Sequence, residues 1–142
     1  MAKFRWNSRR LEEAVNRGAN RGVFKAATRV HEVSVGQILR TKKTGTIYRR
    51  RSVLHQASAP GEAPASDTGA LVQSGTVIRD PANLAARVNY SVSYAASLEF
   101  GTERMEPRPF LRPSLDFMRD QIPRIVSTEI RLELQNLRGR QL

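Results

Sequence analysis

Residues 94–115 read YAASLEFGTERMEPRPFLRPSL, and this stretch decides how the second half of the chain folds. Its later part is spaced by three prolines, at Pro107, Pro109 and Pro113. Proline fixes its own φ angle and disfavours the helical conformation in the residue before it. The spacing therefore predicts a stiff extended arm that presents Phe110 and Leu111, and then a helix that starts with Pro113 as its first residue. This pattern indicates architecture and not catalysis.

Helical periodicity precedes this stretch. Asn7 or Ser8 can cap a helix that continues to about residue 40. Its apolar positions recur at helical spacing, at Leu11, Val15, Val23, Ala27, Val30 and Ile38, and the stripe is widened by Ala14, Ala19, Ala26 and Val33. Gly18 and Gly22 interrupt the pattern. Because glycine weakens a helix interior, the pair predicts either a break or a close approach of a neighbouring backbone.

A second long helix is predicted from about Pro113 to about Leu137. Its apolar ladder consists of Leu115, Met118, Ile122, Val126, Ile130, Leu134 and Leu137. Pro123 lies inside this ladder and cannot donate a backbone hydrogen bond. A kink or a fresh helix start near Gln121 is therefore expected.

Between the helices, residues 71–79 and 84–90 predict two strands of an antiparallel pair, joined by the turn sequence DPAN at 80–83. Residues 91–100 predict a short helix that places Tyr94 and Leu98 inward. The earlier segment 41–69 is basic and rich in Pro and Gly, and predicts a long loop. The expected fold is a single α+β domain: a small antiparallel sheet flanked by a long N-terminal helix and a long C-terminal helix, with an extended loop arm.

The charge of the chain is strongly positive, with 24 Lys and Arg against 13 Asp and Glu and a net charge of +11. Such a charge attracts polyanions. The cations predicted to face DNA or an acidic protein partner surround Tyr48, and they are Lys42, Lys43, Arg49, Arg50 and Arg51. Charge alone does not distinguish DNA from an acidic protein partner. The chain has no cysteine and no apolar run of membrane-spanning length, so we expect no disulfide, no membrane and a cytosolic site of synthesis.

The motifs of catalysis and cofactor binding are missing from the sequence. There is no Gly-x-Ser-x-Gly elbow, and His31-Glu32 lacks the second histidine of a zinc-binding helix. The glycines of SAPGEAPASDTG at 58–69 have neither phosphate-loop nor dinucleotide spacing. This segment predicts either an ordered strap or a flexible surface loop. We therefore expect no catalytic, cofactor or metal site, and no enzyme.

Two motifs, SAPGEAPASDTGAL at 58–71 and YAASLEFGTERMEPRPFLRPSL at 94–115, resemble in order and spacing those of the neck and tail-completion proteins of long-tailed bacteriophages. In that family Tyr-Ala, Glu-Phe-Gly-Thr and Arg-Pro-Phe-Leu-Arg-Pro recur as a set. Here they stand at 94–95, 99–102 and 108–113. Ser114 and Glu106 depart from the family's common residues.

The resemblance implies a structural virion protein, made in the host bacterial cytoplasm, that forms a homo-oligomeric ring around the DNA channel at the head–tail junction. Hexamers and dodecamers both remain open. The implied partners are other neck, connector and tail-tube proteins, with non-specific contact to packaged DNA. The expected subunit interface consists of Tyr94, Phe100, Phe110 and Leu111. The alternative is a small basic protein that binds nucleic acid without sequence specificity.

Overall fold

The computed structural model describes residues 8–139, and the predicted helix cap Asn7 lies outside that range. The long N-terminal helix is confirmed as α1, Ser8–Arg40. Its buried face differs from the predicted apolar stripe, because it repeats every four residues and consists mainly of small side chains: Ala14, Gly18, Gly22, Ala26, Val30, Ser34 and Ile38. Leu11, Val15 and Val23 are only half-buried.

The small residues of α1 are explained by the helix that packs against it. A Cβ added at Gly18 would lie 2.6 Å from the Cα of Ile130, and one added at Gly22 would lie 2.7 Å from the Cα of Val126. Both distances are shorter than the contacts that real Cβ atoms make with atoms of other residues. Of the two predicted meanings of these glycines, the close approach of a neighbouring backbone is therefore confirmed, and α1 continues through both positions without a break.

The C-terminal helical region is divided where the sequence predicted. Helix α4 spans Leu111–Met118 and helix α5 spans Gln121–Gly139. Pro123 is the third residue of α5, where a backbone N–H has no partner within the helix and its loss costs little. The fresh helix start near Gln121 is thus confirmed.

Two carboxylates that the apolar ladder did not predict are buried on α5, namely Glu129 and Glu133. Lys25 donates to Glu129 over 2.7 Å and Arg21 donates to Glu133 over 2.7 Å. Arg17 approaches Glu133 at 3.5 Å. The contact between α1 and α5 therefore combines a close backbone approach with an ionic row along one side.

Residues 8–139 form two separate two-stranded antiparallel sheets, one more than predicted. Strands β1, Ile47–Arg50, and β2, Val53–Gln56, form a hairpin within the segment predicted to be loop. Strands β3, Gly75–Asp80, and β4, Ala85–Tyr90, form the predicted pair around the turn Pro81–Asn83. The predicted start of β3 is wrong, since Ala70–Gln73 forms the short helix α2.

The remaining element is α3, Ala95–Phe100, as expected for a short helix in this region. Ala95 is buried and Leu98 packs against the core, whereas Tyr94 is exposed, contrary to its predicted inward position. The core that joins these elements consists of Ile38, Ala63, Leu71, Ala95 and Phe110. No helix within 8–139 is both long and apolar enough to cross a membrane.

Candidate functional site

Glu99 on α3 connects the two halves of the motif at 94–115. Its carboxylate accepts hydrogen bonds from the backbone N–H groups of Phe110 at 2.9 Å, Leu111 at 3.0 Å and Arg112 at 2.7 Å. These N–H groups lie at the start of α4, where no partner exists within the helix. A negative charge is also favoured there by the helix dipole. In the sequence Glu99 is only part of the Glu-Phe-Gly-Thr motif, because no neighbouring residue indicates which helix it caps.

Gly101 makes the return turn between these halves possible. Its φ angle is 76°, a left-handed conformation, and a Cβ there would lie 2.9 Å from the carbonyl oxygen of Met105. The turn is closed by the N–H of Thr102, which donates to the same carbonyl over 2.8 Å. Arg108 then returns alongside α3, where its N–H donates to the carbonyl of Leu98 over 2.7 Å. Position 101 thus requires glycine for two reasons: the left-handed backbone conformation and the lack of space for a Cβ atom.

The motif at 58–71 packs directly on the motif at 94–115, and we call this contact the motif junction. The N–H of Gly61 donates to the carbonyl of Pro107 over 3.0 Å. The guanidinium of Arg108 donates to the carbonyl of Ser58 over 3.2 Å. Residues 57–69 therefore form an ordered strap, in which Ala63 and Pro64 are buried, and the strap interpretation is favoured over the flexible loop.

Glu62 fixes the strap to the segment that follows α1. It accepts hydrogen bonds from the Thr44 hydroxyl at 2.5 Å, the Ala59 N–H at 2.8 Å and the Thr44 N–H at 3.0 Å. These bonds hold the pKa of Glu62 down at about 2, with the Thr44 hydroxyl as the largest cause. Hydrogen bonds to the charged form of a carboxylate act in this direction.

Lys43 is turned into the fold and not towards a partner, so its predicted role at a DNA or protein surface is corrected. Its ammonium donates to the carbonyls of Ala63 at 2.7 Å and Gln37 at 3.1 Å, and to the Thr41 hydroxyl at 2.6 Å. Burial lowers the pKa of Lys43. Lys43 therefore ties the strap to the end of α1.

The hydrogen bonds of Glu62 predict a specific acid titration. Because folding lowers the pKa of Glu62 from 4.5 to about 2, its contribution to stability is complete above pH 4.5 and is lost as the pH falls towards 2. We expect the amide proton shifts of Thr44 and Ala59 to titrate with a midpoint near pH 2 in NMR spectra. In the Glu62→Gln variant this titration step should be absent. A midpoint near 4.5 in the wild-type protein would show that the carboxylate is not held by these bonds.

The hairpin arm, residues 47–56, carries most of the predicted cations. Arg50 forms an ion pair with Asp67 of the strap, and His55 approaches the same carboxylate at 3.5 Å. Tyr48 stacks on His55 with ring centroids 5.7 Å apart. Arg49 and Arg51 are exposed, as is Lys42 before the arm. Of the predicted cations, Arg49, Arg51 and Lys42 therefore remain available to an external partner.

A cavity of about 480 Å³ opens between the hairpin arm and the strap. Tyr48 and Arg50 line it on one side, and Tyr94 and Arg108 line it on the other. The structure thus brings one predicted cation, Arg50, and one predicted interface residue, Tyr94, to the same opening.

The predicted subunit interface is divided by the fold. Phe110 is only 2% exposed, and its ring lies nearly perpendicular to that of Tyr90, with the ring centroids 4.9 Å apart. The side chain is therefore in the core of its own chain, and its assignment to a subunit surface is corrected. Leu111 is half-buried against the same core. Tyr94 and Phe100 are 45% and 74% exposed and can be reached by another subunit.

The two histidines occupy unrelated surroundings. His31 packs on Tyr90, and its Nε2 is buried without a hydrogen-bond partner among residues 8–139, next to Gly75. His55 meets Asp67 on the hairpin arm. Within the described part of the chain, no group of three or more His, Cys, Asp or Glu side chains could hold a metal ion.

Comparison of the chain with protein-family profiles, with curated proteins and with solved structures found no match.

Proposed function

We propose that the chain is a structural virion protein of a long-tailed bacteriophage, a neck or tail-completion component that forms a homo-oligomeric ring at the head–tail junction. The observation that carries this proposal is the motif junction. The two segments that resemble the phage family, 58–71 and 94–115, form one packed unit, in which the Arg108 guanidinium donates to the carbonyl of Ser58 and the N–H of Gly61 donates to the carbonyl of Pro107. Their shared role in one structural unit supports reading the two motifs together.

The surface next to the motif junction supports an assembly role. Phe100 ends α3 with its side chain almost fully exposed, and Tyr94 is exposed at the start of the same helix. Exposed aromatic side chains are enriched in protein–protein interfaces. We therefore assign Tyr94 and Phe100 to contact with another virion subunit, either a second copy or another neck, connector or tail-tube protein.

The charge of the chain suits a ring that surrounds DNA. The net charge is +11, and Arg49 and Arg51 extend into solvent from the hairpin arm. A channel for a polyanion needs a surface that contacts phosphates independently of base sequence, and arginine and lysine side chains provide one. In this proposal Lys42 and Arg51 face either the packaged DNA or an acidic neighbouring ring.

Imaging tests the proposal directly. Negative-stain images of the purified chain, alone and mixed with its neck partners, should show closed rings, of hexameric or dodecameric size. Antibody labelling of intact virions should place the chain at the head–tail junction. The Tyr94→Ser, Phe100→Ser double variant should form fewer rings, whereas Phe117→Ser, which alters another exposed aromatic residue, should not. Label found elsewhere on the particle, or on no particle, would contradict the proposal.

The second candidate is a non-specific nucleic-acid-binding protein, favoured by Arg49 and Arg51 beside Tyr48. Binding to random-sequence duplex DNA would then weaken with salt at a slope of about −0.9 per neutralised phosphate. A monomer that shows such binding and does not label virions would favour this candidate.

A further inference from the structure

The hairpin arm has one anchored face and one uncovered face. Residues that are opposite in an antiparallel pair point to the same side. Tyr48, His55 and Arg50 therefore share the face that meets the strap through Asp67. Ile47 and Leu54 lie on the other face, where they are 62% and 64% exposed.

This uncovered face has a defined chemistry. Ile47 and Leu54 are diagonal neighbours in the register, so their side chains lie within about 7–8 Å of each other. Arg49 shares their face, directly opposite Leu54. The outer face of the arm is thus an aliphatic pair with Arg49 and Gln56 beside it.

The body of the domain contains a matching aliphatic groove of about 290 Å³. The side chains that define it come from α1, β4, α4 and α5, and include Val23, Val30, Val88, Leu111, Leu115 and Ile122. An apolar cavity of about 150 Å³ is sufficient to hold benzene, so this groove has room for two branched aliphatic side chains. Leu115 is about half exposed at the groove, which shows that solvent now reaches it.

The arm does not fill the groove of its own chain, since none of residues 47–56 lines it. Its inner face is held to the strap by Arg50 and Asp67, and it follows the C-terminal end of α1 at Arg40. The last groove residue on α1, Val30, lies ten residues earlier, about 15 Å along the helix axis. An arm anchored in this way presents Ile47 and Leu54 away from its own body.

We propose that the outer face of the hairpin arm of one copy docks in the aliphatic groove of a second copy. This inference rests on the proposed ring, and it identifies the contact that joins neighbouring subunits. Ile47 and Leu54 occupy the groove. Arg49 then faces Asp120, which is exposed, forms no ion pair within the described residues and precedes the groove residue Ile122 by two positions.

The two surfaces are different, and this determines the symmetry of the contact. An arm-to-groove contact is heterologous, since the donor surface and the acceptor surface lie on different parts of the chain. Repeated heterologous contacts generate a closed ring when the rotation between subunits closes, and a filament when it does not. The proposed contact is therefore of the kind that a ring requires.

Cysteine cross-linking tests this contact without a background of native disulfides, because the chain has no cysteine of its own. A Leu54→Cys variant mixed with a Leu115→Cys variant should form a disulfide-linked dimer under mild oxidation, and the double variant should form a ladder of oligomers. Each single variant alone should remain largely uncross-linked. The matched control combines Leu54→Cys with Phe117→Cys, which lies on α4 and does not line the groove. Equal cross-linking in the control pair would overturn the proposal.

A charge-insertion variant provides the complementary measurement. Ile47→Glu with Leu54→Glu should weaken self-association, measured by light scattering, by on the order of thirtyfold or more, the loss typical of interface hot spots. The melting temperature of the domain should be unchanged, because both side chains are exposed in the folded chain. Unchanged self-association would overturn the arm-to-groove contact.

The outcomes separate this inference from the proposed function. If virions label at the head–tail junction but Leu54→Cys and Leu115→Cys do not cross-link, the ring proposal stands and the arm-to-groove contact is wrong. If the cross-link forms but virions carry no label, the contact stands and the phage assignment is wrong.

Discussion

Replacement of Phe110 by Ala is expected to destabilise the domain by about 3–5 kcal/mol, the range measured for truncation of buried aromatic residues. Phe110 is the largest fully buried side chain, and its ring packs edge-on against Tyr90. Single domains of this size are stable by only about 5–15 kcal/mol. The variant should therefore lose much of its stability, visible as a lower urea midpoint and a lower melting temperature.

Phe117 provides the matched control for this prediction. It lies on the same helix, α4, but is 68% exposed, so Phe117→Ala should leave the urea midpoint nearly unchanged. The comparison also tests the sequence-based interpretation of Phe110 as a subunit contact. If Phe110→Ala melted like the wild-type protein and lost only its assembly, that earlier interpretation would be right and the position of Phe110 in the core would be wrong.

The double substitution Gly18→Ala, Gly22→Ala is expected to separate α1 from α5. Each new Cβ would lie under 3 Å from a backbone Cα of α5, and backbone atoms cannot rotate away. We expect each new methyl group to destabilise the fold by about 3 kcal/mol, at the upper end of the range for overpacked cores. Alanine has a higher helix propensity than glycine, and this difference offsets about 1 kcal/mol of the destabilisation at each site. The net loss is about 4 kcal/mol, measurable by urea denaturation.

Gly36 on the same helix is the control for this substitution. A Cβ added there would meet no atom of the described chain within 4 Å. Gly36→Ala should therefore stabilise the domain by about 1 kcal/mol through helix propensity alone. Stabilisation by all three substitutions would show that α1 and α5 do not approach as closely as described.

The sequence by itself determined most of the regular elements, but neither the β1–β2 hairpin nor the short helix α2. Periodicity predicted α1, and the proline at 123 predicted the break before α5. The turn chemistry at 80–83 predicted the β3–β4 pair, which is confirmed. These features depend on residues close together in the chain, since a missing N–H, a fixed φ angle or a turn-forming side chain acts within a few residues.

Only the tertiary structure decided which surface of each element is buried. The prolines around Phe110 predicted an extended arm, but α4 begins at Leu111 and the side chain of Phe110 lies in the core of its own chain. Lys43 belongs to a basic run, yet it bonds the carbonyl of Ala63, twenty residues away in the chain. The partners of Glu129 on α5 lie about a hundred residues earlier, on α1.

These outcomes share one physical reason. The burial of a side chain depends on what packs against it, and in this chain the packing partners come from distant segments. Small residues at every fourth position of α1 became its buried face because α5 approaches there at backbone distance. Glu99 became the cap of α4 because the turn at Gly101 returns the chain beside it. Local chemistry thus determined most of the elements, and long-range contacts decided which of their faces are buried.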